Sequence, residues 1–319
     1  PLLAIEDQAG LPQPLTFDPP VRGEGEWLNT SIYTFKPLDG FEPATTYRVR
    51  VTAGLADTTG GVMAEDFTWQ FTTIMPAVVA TYPDRDTIYV STQPTVCVAF
   101  NQPMDHTSAE AAFSLEHLDT HEKVSGTFEW LEMGLLPPQG PAYEPYQYGW
   151  SAGEEAERVG VETMCFTPER PLEFGARYVA RVARGAMGVR GKAGTADTYR
   201  WAFDTIAYPR IVMTKPANGE SNVDPWTRLE VVFSSPMDPR SIVGNFTISP
   251  PVSPTQVYTY WWESDTHLEI SFPTRASSEY TVIIGSGLRG RYGHPLEKGT
   301  TVRWRTRAYD TFVRLNTPY

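Results

Sequence analysis

The chain has 319 residues, enough for two or three domains of ordinary size, and a formal net charge of −12. Hydrophobic residues make up 41% and charged residues 20%, which excludes a disordered tail, and the apolar runs are too short to span a membrane as a helix. The acidic charge argues against nucleic acid, which proteins bind through Lys and Arg. The 28 prolines and 25 glycines favour short strands and turns, with almost no helix.

The first residues, Pro1-Leu2-Leu3, do not resemble a natural start, so we expect the true N-terminus and any export signal to lie outside this sequence. We interpret residues 1–75 as a β-sandwich unit that is incomplete at its N-terminal side. Aligning Phe17 with Phe246 of a later unit places residue 4 where that unit has Phe233. Two strands are therefore expected to be missing, which leaves an unpaired sheet edge.

A repeat runs through the whole chain. Each unit has a tyrosine, a glycine seven residues later, another glycine thirteen residues later, and a closing threonine. The three sets are Tyr47, Gly54, Gly60 and Thr73; Tyr178, Gly185, Gly191 and Thr205; and Tyr280, Gly287, Gly293 and Thr306. Three units in the same register indicate three copies of one fold.

Shorter phrases support the same alignment. The second and third units share Phe-x-x-Pro-Met-Asp, at residues 100–105 and 233–238. Before each tyrosine we align Phe35-Lys36-Pro37, Phe166-Thr167-Pro168 and Phe272-Pro273, which makes the loop in the third unit four residues shorter.

Hydrophobic residues alternate along the segments between these phrases. Leu229, Val231 and Phe233 fall on one face of a strand, and Leu268, Ile270 and Phe272 repeat the pattern. Six to seven short strands in about 100 residues are typical of a two-sheet sandwich. We therefore predict an all-β chain of tandem immunoglobulin-like antiparallel β-sandwiches. The predicted boundaries are 1–75, 76–206, 207–308, and the start of a following domain at 309–319.

The second unit carries an insertion of about 27 residues, centred on residues 135–157, that is rich in proline and aromatic residues. It lacks the alternation of a strand, so we expect an irregular surface loop. Two interpretations stay open: its rings cover a neighbouring unit, or they form a docking site for a partner. The candidate interaction residues are Tyr143, Tyr146, Tyr148 and Trp150.

The two cysteines lie in strands that are neighbours in immunoglobulin-like topology. We align Cys97 with Glu230 and Cys165 with Ser271, which places both on the outward faces of their strands. A disulfide requires Cα atoms about 4.4–6.8 Å apart and an oxidising compartment. A bridge and two reduced thiols both remain open.

No catalytic motif is present, and we predict no enzyme activity, cofactor or metal. Ser286 is interpreted as a turn residue beside a repeat glycine. His117 and His121 have metal-ligand spacing only on a helix, whereas a strand separates them by about 13 Å. Asp105 and Asp238 recur after the Pro-Met phrase, and we prefer an Asx-turn to a calcium site. The acidic segment 153–157 is interpreted as a solvated loop.

The repeated phrases of the second and third units resemble the bacterial Ig-like domains of S-layer and other surface proteins. In the first unit, the segment from Asp7 to Leu15, followed by Trp27-Leu28-Asn29-Thr30, resembles the N-terminal macroglobulin-like region of bacterial alpha-2-macroglobulins. The thioester sequence Cys-Gly-Glu-Gln, which covalently traps proteases in that family, is absent here, so this segment cannot perform that chemistry.

The first interpretation of function is therefore a non-catalytic scaffold within a bacterial alpha-2-macroglobulin-like protease inhibitor. A spacer or adhesion segment of a cell-surface or S-layer protein is the second, and accessory modules of a secreted hydrolase the third. The expected partners are other domains of the same polypeptide and, through the full-length protein, proteases. The resemblance implies a secreted, periplasmic or cell-surface location.

Overall fold

The computed structural model describes residues 10–11, 13–132, 160–191, 193–262 and 264–309. None of the helices in these ranges is long and apolar enough to cross a membrane. The described strands form three successive groups, which we call the first, second and third modules.

The first module contains five strands: β1 (Leu15–Asp18), β2 (Gly23–Asn29), β3 (Ile32–Pro37), β4 (Thr46–Val51) and β5 (Phe67–Thr72). One sheet has the order β1-β4-β5, and β2 pairs with β3 in a hairpin. The turn of this hairpin is made by Asn29, whose Oδ1 accepts the backbone N–H groups of Ser31 (2.8 Å) and Ile32 (2.9 Å).

The second module contains eight strands and one helix: β6 (Val78–Tyr82), β7 (Thr87–Val90), β8 (Val96–Phe100), α1 (His106–Ala112), β9 (Phe113–His117), β10 (Gly126–Glu132), β11 (Glu162–Pro168), β12 (Arg177–Val182) and β13 (Tyr199–Thr205). Its two sheets have the orders β10-β11-β8-β6 and β7-β13-β12-β9.

The third module contains eight strands: β14 (Ile211–Lys215), β15 (Glu220–Val223), β16 (Leu229–Phe233), β17 (Phe246–Ser249), β18 (Tyr258–Trp262), β19 (His267–Ser271), β20 (Glu279–Ile284) and β21 (Thr300–Thr306). The sheet orders are β14-β16-β19-β18 and β15-β21-β20-β17, the same as in the second module.

The two sheets of each complete module enclose an apolar core. Phe100, Trp201 and Phe203 are fully buried in the second module, and Leu229, Leu268 and Ile270 in the third. The predicted all-β fold of tandem sandwiches is confirmed. Within the described residues, the expectation of almost no helix also holds, apart from α1 and two short 3₁₀ turns.

The strand pairing corrects the alignment around Phe272. Val98 pairs with Met164 in the second module, and Val231 pairs with Leu268 in the third, so Leu268 is the counterpart of Met164. Ile270, rather than Phe272, therefore corresponds to Phe166. The loop before the tyrosine is shorter by two residues, not four.

The alignment of Phe17 with Phe246 was wrong by the same two residues. Leu15 pairs with Val51 in the first module, whereas Phe246 pairs with Ile284 in the third. Val51 and Ile284 both lie four residues after the repeat tyrosine, so Leu15 is the counterpart of Phe246. A shift of two residues keeps every side chain on the same face of a strand, which is why alternation did not reveal the error.

Each repeat tyrosine is buried and ties down the loop before it. The hydroxyls of Tyr47, Tyr178 and Tyr280 accept the backbone N–H of the residue five positions earlier, at 2.9, 3.0 and 2.7 Å. The carbonyl of that same residue accepts the hydroxyl of the closing threonine, at 2.5, 2.6 and 2.5 Å. We call this arrangement the Tyr–Thr clamp.

The first module has a much less buried core than the other two. Among its described hydrophobic side chains, only Tyr47 and Val49 are fully buried, and an aromatic cluster that includes Phe17 and Phe35 is half-exposed. Its β3 corresponds to β11 and β19, which pair on both sides. In the part of the chain that the structure describes, β3 pairs with β2 alone.

We predict that Thr205→Val destabilises the second module. The substitution removes the bond to Glu173 and leaves the N–H of Ala176, which donates to Thr205 at 2.9 Å, without its acceptor. A buried donor that loses its partner costs about 1–3 kcal/mol. Urea unfolding would measure the loss, and Thr167→Val, at an exposed position of β11, should change stability by less than about 0.5 kcal/mol. Equal effects of both substitutions would contradict the clamp.

A second prediction concerns the free edge of β3. Backbone amides of β3 should exchange with deuterium faster than those of β11 and β19, because strand pairing protects amides from solvent. The central strand β4 is the internal control and should be protected. Core-like protection of β3 in a monomeric sample would contradict this expectation.

Candidate functional site

The Phe-x-x-Pro-Met-Asp phrase fastens the linker that enters each of the last two modules. In the second module, Asn101 donates its Nδ2 to the carbonyl of Met75 at 3.0 Å and accepts the N–H of Ala77 at 2.9 Å. In the third, the Ser234 hydroxyl donates to the carbonyl of Tyr208 at 2.7 Å and accepts the N–H of Arg210 at 3.1 Å. The two linkers are therefore held at matching positions.

A buried proline lies between the tied residues of each linker, Pro76 in one and Pro209 in the other. Proline fixes φ near −65°, so the linker loses backbone freedom at the point where it is fastened. The second linker is one residue longer between its closing threonine and its proline. The common elements are thus the proline and the two hydrogen bonds that flank it.

The other half of the joint is a contact between loops of successive modules. Pro43, four residues before Tyr47, lies so close to Gly191 that a side chain there would meet Pro43 Cδ at 3.0 Å. At the equivalent place in the next joint, the Phe174 ring packs edge-on against His294 at 5.0 Å and against Tyr208 at 5.1 Å. The same two loops thus meet in both joints.

The joint between the second and third modules also includes Tyr292. Its hydroxyl donates to the carbonyl of Tyr89 at 2.9 Å, across the boundary between the modules. Burial raises the pKa of the Tyr292 phenol above its usual value, so the group stays protonated and able to donate at neutral pH.

The rest of the phrase has structural roles. Phe100 and Met104 are buried in the second core, as are Phe233 and Met237 in the third. Asp105 Oδ1 accepts the N–H of Ser108 at 2.8 Å and caps α1, and Asp238 Oδ1 accepts the N–H of Arg240 at 3.0 Å. The Asp238 bond spans two residues and is an Asx-turn, as expected, whereas the Asp105 bond spans three residues and is a helix N-cap. Within the described ranges no three His, Cys, Asp or Glu side chains converge as a metal site.

The two cysteines lie directly opposite each other in β8 and β11 and are joined by a disulfide. Their Cα atoms are 4.0 Å apart, slightly closer than the expected range of about 4.4–6.8 Å. Their side chains alternate with Val96 and Val98, which belong to the core, so they occupy the outward face as expected. The structure nevertheless buries Cys97 completely and leaves Cys165 only 3% exposed.

The third module has Glu230 opposite Glu269 at the place of this disulfide. Cys165 therefore corresponds to Glu269, and its alignment with Ser271 was wrong by two residues. Like charges directly opposite each other are unfavourable. Here each carboxylate has a basic neighbour: Arg228 lies 2.8 Å from Glu269, and His267 lies 3.8 Å from Glu230.

A cleft of about 410 Å³ lies at the end of β9 in the second module, beside His117 and Tyr178. His117 Nδ1 accepts the N–H groups of Asp119 (3.2 Å) and Thr120 (3.3 Å), which places the proton of the neutral ring on Nε2. Nε2 then points a hydrogen, not a lone pair, toward Glu173 at 3.9 Å. His121 follows the turn at residues 118–120, and its backbone N–H donates to the carbonyl of His117 at 2.9 Å, so the turn brings the two residues together and the expected separation of about 13 Å was wrong.

Ser286 is exposed in the turn after β20. The glycine that follows it, Gly287, packs against Asn245 so tightly that a side chain there would clash at 2.1 Å with Asn245 Oδ1. The Gly-Ser-Gly sequence is therefore explained by turn packing. The insertion, with its candidate residues Tyr143, Tyr146, Tyr148 and Trp150, and the acidic segment 153–157, lie outside the described residues.

The profile of the bacterial Ig-like domain family matches residues 14–73 and 206–306, just over half of the chain. The chain belongs to this family. The segment between the two matches has the same strand order as the third module, so it is an Ig-like module with a different sequence. No curated protein sequence matches the chain.

Three solved structures are similar to this Ig-like chain. The N-terminal part of the bacterial S-layer protein SbsC is 13% identical, with 72% of this chain and 44% of that chain covered and a TM-score of 0.26. An L,D-transpeptidase from Mycobacterium smegmatis is 14% identical, with 58% of this chain and 64% of that chain covered and a TM-score of 0.24. Alpha-2-macroglobulin from Escherichia coli, spanning domains MG0-NIE-MG1, is 11% identical, with 73% of this chain and 71% of that chain covered and a TM-score of 0.27. Because this chain spans less than half of the SbsC fragment and the TM-scores are below 0.5, these similarities carry no argument about function.

We predict that unfolded, unreduced protein contains no free thiol, because the structure pairs its only two cysteines. Titration with a thiol reagent in denaturant would measure this, and prior reduction should raise the count to two. Two reactive groups without reduction would show that the bridge does not form.

Proposed function

We propose that this chain is a non-catalytic scaffold segment of an exported bacterial protein, in which Ig-like modules hold neighbouring domains at a set spacing and angle. The main support for the proposal is that the same kind of joint occurs at both module boundaries. A buried proline, two linker hydrogen bonds and one loop-to-loop contact recur at both module boundaries. Flexible tethers need none of these contacts, whereas a spacer of defined geometry needs all of them.

One further feature supports an exported location. Disulfides persist in oxidising compartments and are rare in the cytosol, and the paired cysteines fit the former. The net charge of −12 favours solubility outside the membrane and disfavours binding to nucleic acid.

The parent that we propose first is of the alpha-2-macroglobulin type, with the modules supporting a protease-trapping machine and proteases as partners of the whole protein. Its support is the resemblance of the first module, around Trp27-Leu28-Asn29-Thr30. The hairpin turn made by Asn29 explains part of this phrase without reference to any family. A spacer of a cell-surface protein is the second candidate, favoured by the repeated joint. Sequence beyond Tyr319 would separate them, since only the first requires a trapping apparatus.

Small-angle X-ray scattering tests the scaffold role. The native protein should fit a single arrangement of modules, whereas insertion of Gly-Ser-Gly-Ser after Ala207 should broaden the distribution of maximum dimensions. The insertion places four flexible residues between the second module and the segment from Tyr208 to Arg210, which Ser234 holds to the third module. Ser286→Ala, in an exposed turn, is the matched control and should leave the profile unchanged. A broad distribution for the native protein would overturn the proposal.

A further inference from the structure

The third module exposes three aromatic side chains in a row on one strand. Tyr258, Tyr260 and Trp262 alternate along β18 and are 69%, 54% and 37% exposed. Such rings are usually kept from solvent, because each carries a large apolar surface. We call this row the aromatic edge.

β18 is the last strand of its sheet, which has the order β14-β16-β19-β18. No strand in the described ranges pairs with its far side, so half of its backbone N–H and C=O groups face outward. Open edges recruit further strands, and proteins normally protect them with charged side chains or proline. The strand Tyr258–Trp262 contains neither.

The first two modules show how the same strand looks when it is protected. Trp27, Trp130 and Trp261 occupy one position of the fold, since their partners Tyr33, Met164 and Leu268 are equivalent. The residue just before each tryptophan points outward. It is Glu26 in β2 and Glu129 in β10, but Tyr260 in β18. Of the three modules, only the third has no glutamate at this position.

We propose that the aromatic edge pairs with the aromatic edge of a second copy of this chain, antiparallel and centred on Tyr260. The two sheets then become one. Tyr260 lies opposite Tyr260 of the second copy, and Tyr258 lies opposite Trp262 of the second copy, which gives favourable aromatic cross-strand pairs. The same pairing through β10 would place Glu129 opposite its own copy, and β2 would do so with Glu26.

The geometry of the rings disfavours a glycan at this place. Tyr260 and Trp262 lie 5.8 Å apart with their planes at 84°, so they do not form the flat platform on which a sugar ring stacks. Two copies of the chain repel each other, because each has a net charge of −12. Carboxylates on the paired strands would add repulsion at short range, and β18 has none. A five-residue pairing is small, so the dimer is weak and should strengthen with added salt as repulsion is screened.

Sedimentation velocity over a concentration series tests the pairing. Native protein should show a dimer that increases with concentration and with salt. Tyr260→Glu, which copies the residue of the other two modules, should reduce dimer formation at least tenfold. Trp226→Glu is the matched control: Trp226 is 79% exposed but lies before β16, so its removal should leave the dimer intact.

Cross-linking tests the register independently of stability. Residues directly opposite in an antiparallel pair have Cα atoms about 4.5–5.5 Å apart, so Tyr260→Cys should form a disulfide between copies under mild oxidation. Tyr258→Cys is the register control, because its copies would be about 14 Å apart along the strands and should remain unlinked.

Three results would overturn the proposal. The native protein could stay monomeric at millimolar concentration, or the dimer could survive Tyr260→Glu. Trp226→Glu could also reduce dimer formation as much as Tyr260→Glu, which would indicate non-specific hydrophobic association. If Tyr260→Glu fails to fold, the cross-linking of Tyr260→Cys, compared with that of Tyr258→Cys, tests the pairing instead. Cross-links from Tyr258→Cys as readily as from Tyr260→Cys would also exclude the proposed register.

Discussion

The Tyr–Thr clamp is the interaction on which the array depends. In the second module, the N–H of Glu173 donates to the Tyr178 hydroxyl, and the carbonyl of Glu173 accepts the Thr205 hydroxyl. One residue of the loop is therefore fixed at both of its backbone groups. The next residue, Phe174, is the one that meets the following module. Because Thr205 also ends the closing strand, the clamp connects the loop half of the joint to the linker half. Burying these polar groups is favourable only because each is paired.

The clamp explains what the sequence revealed and what it could not. Its tyrosines and threonines are visible as a repeat, because each tyrosine lies seven residues before a turn glycine and each closing threonine lies 13 or 14 residues after the second glycine. The register of Ile270 and Leu15 was not visible, because a shift of two residues preserves alternation. Phe272 and Phe17 lie two residues away and were aligned in their place. Strand adjacency placed the two cysteines side by side but left a bridge and two reduced thiols both open. The joints could not be predicted, because Asn101 and Ser234 differ in type and their partners lie in the linkers, outside the repeated phrases.

The disulfide and the Glu230–Glu269 pair show two solutions at one position of the sheet. A covalent bridge restricts the unfolded chain and needs no solvent, which suits the buried outer face of the second module. In the third module, Glu269 is only 9% exposed and Glu230 is half-buried. Carboxylates can lie opposite each other, provided Arg228 and His267 supply positive or hydrogen-bonding groups. The choice at this position is therefore not set by the strand order, which is the same in both modules.

The same reasoning explains why the middle module folds like its neighbours although the family profile does not match it. What the two complete modules share is set by the backbone: a donor and acceptor beside each linker proline, and a cap after the Pro-Met phrase. Asn101 and Ser234 meet the first requirement with different chemistry, and Asp105 and Asp238 meet the second with the same carboxylate. Outward positions carry no such requirement. That freedom allows β10 to carry Glu129 and β18 to carry Tyr260 without any change in the sandwich.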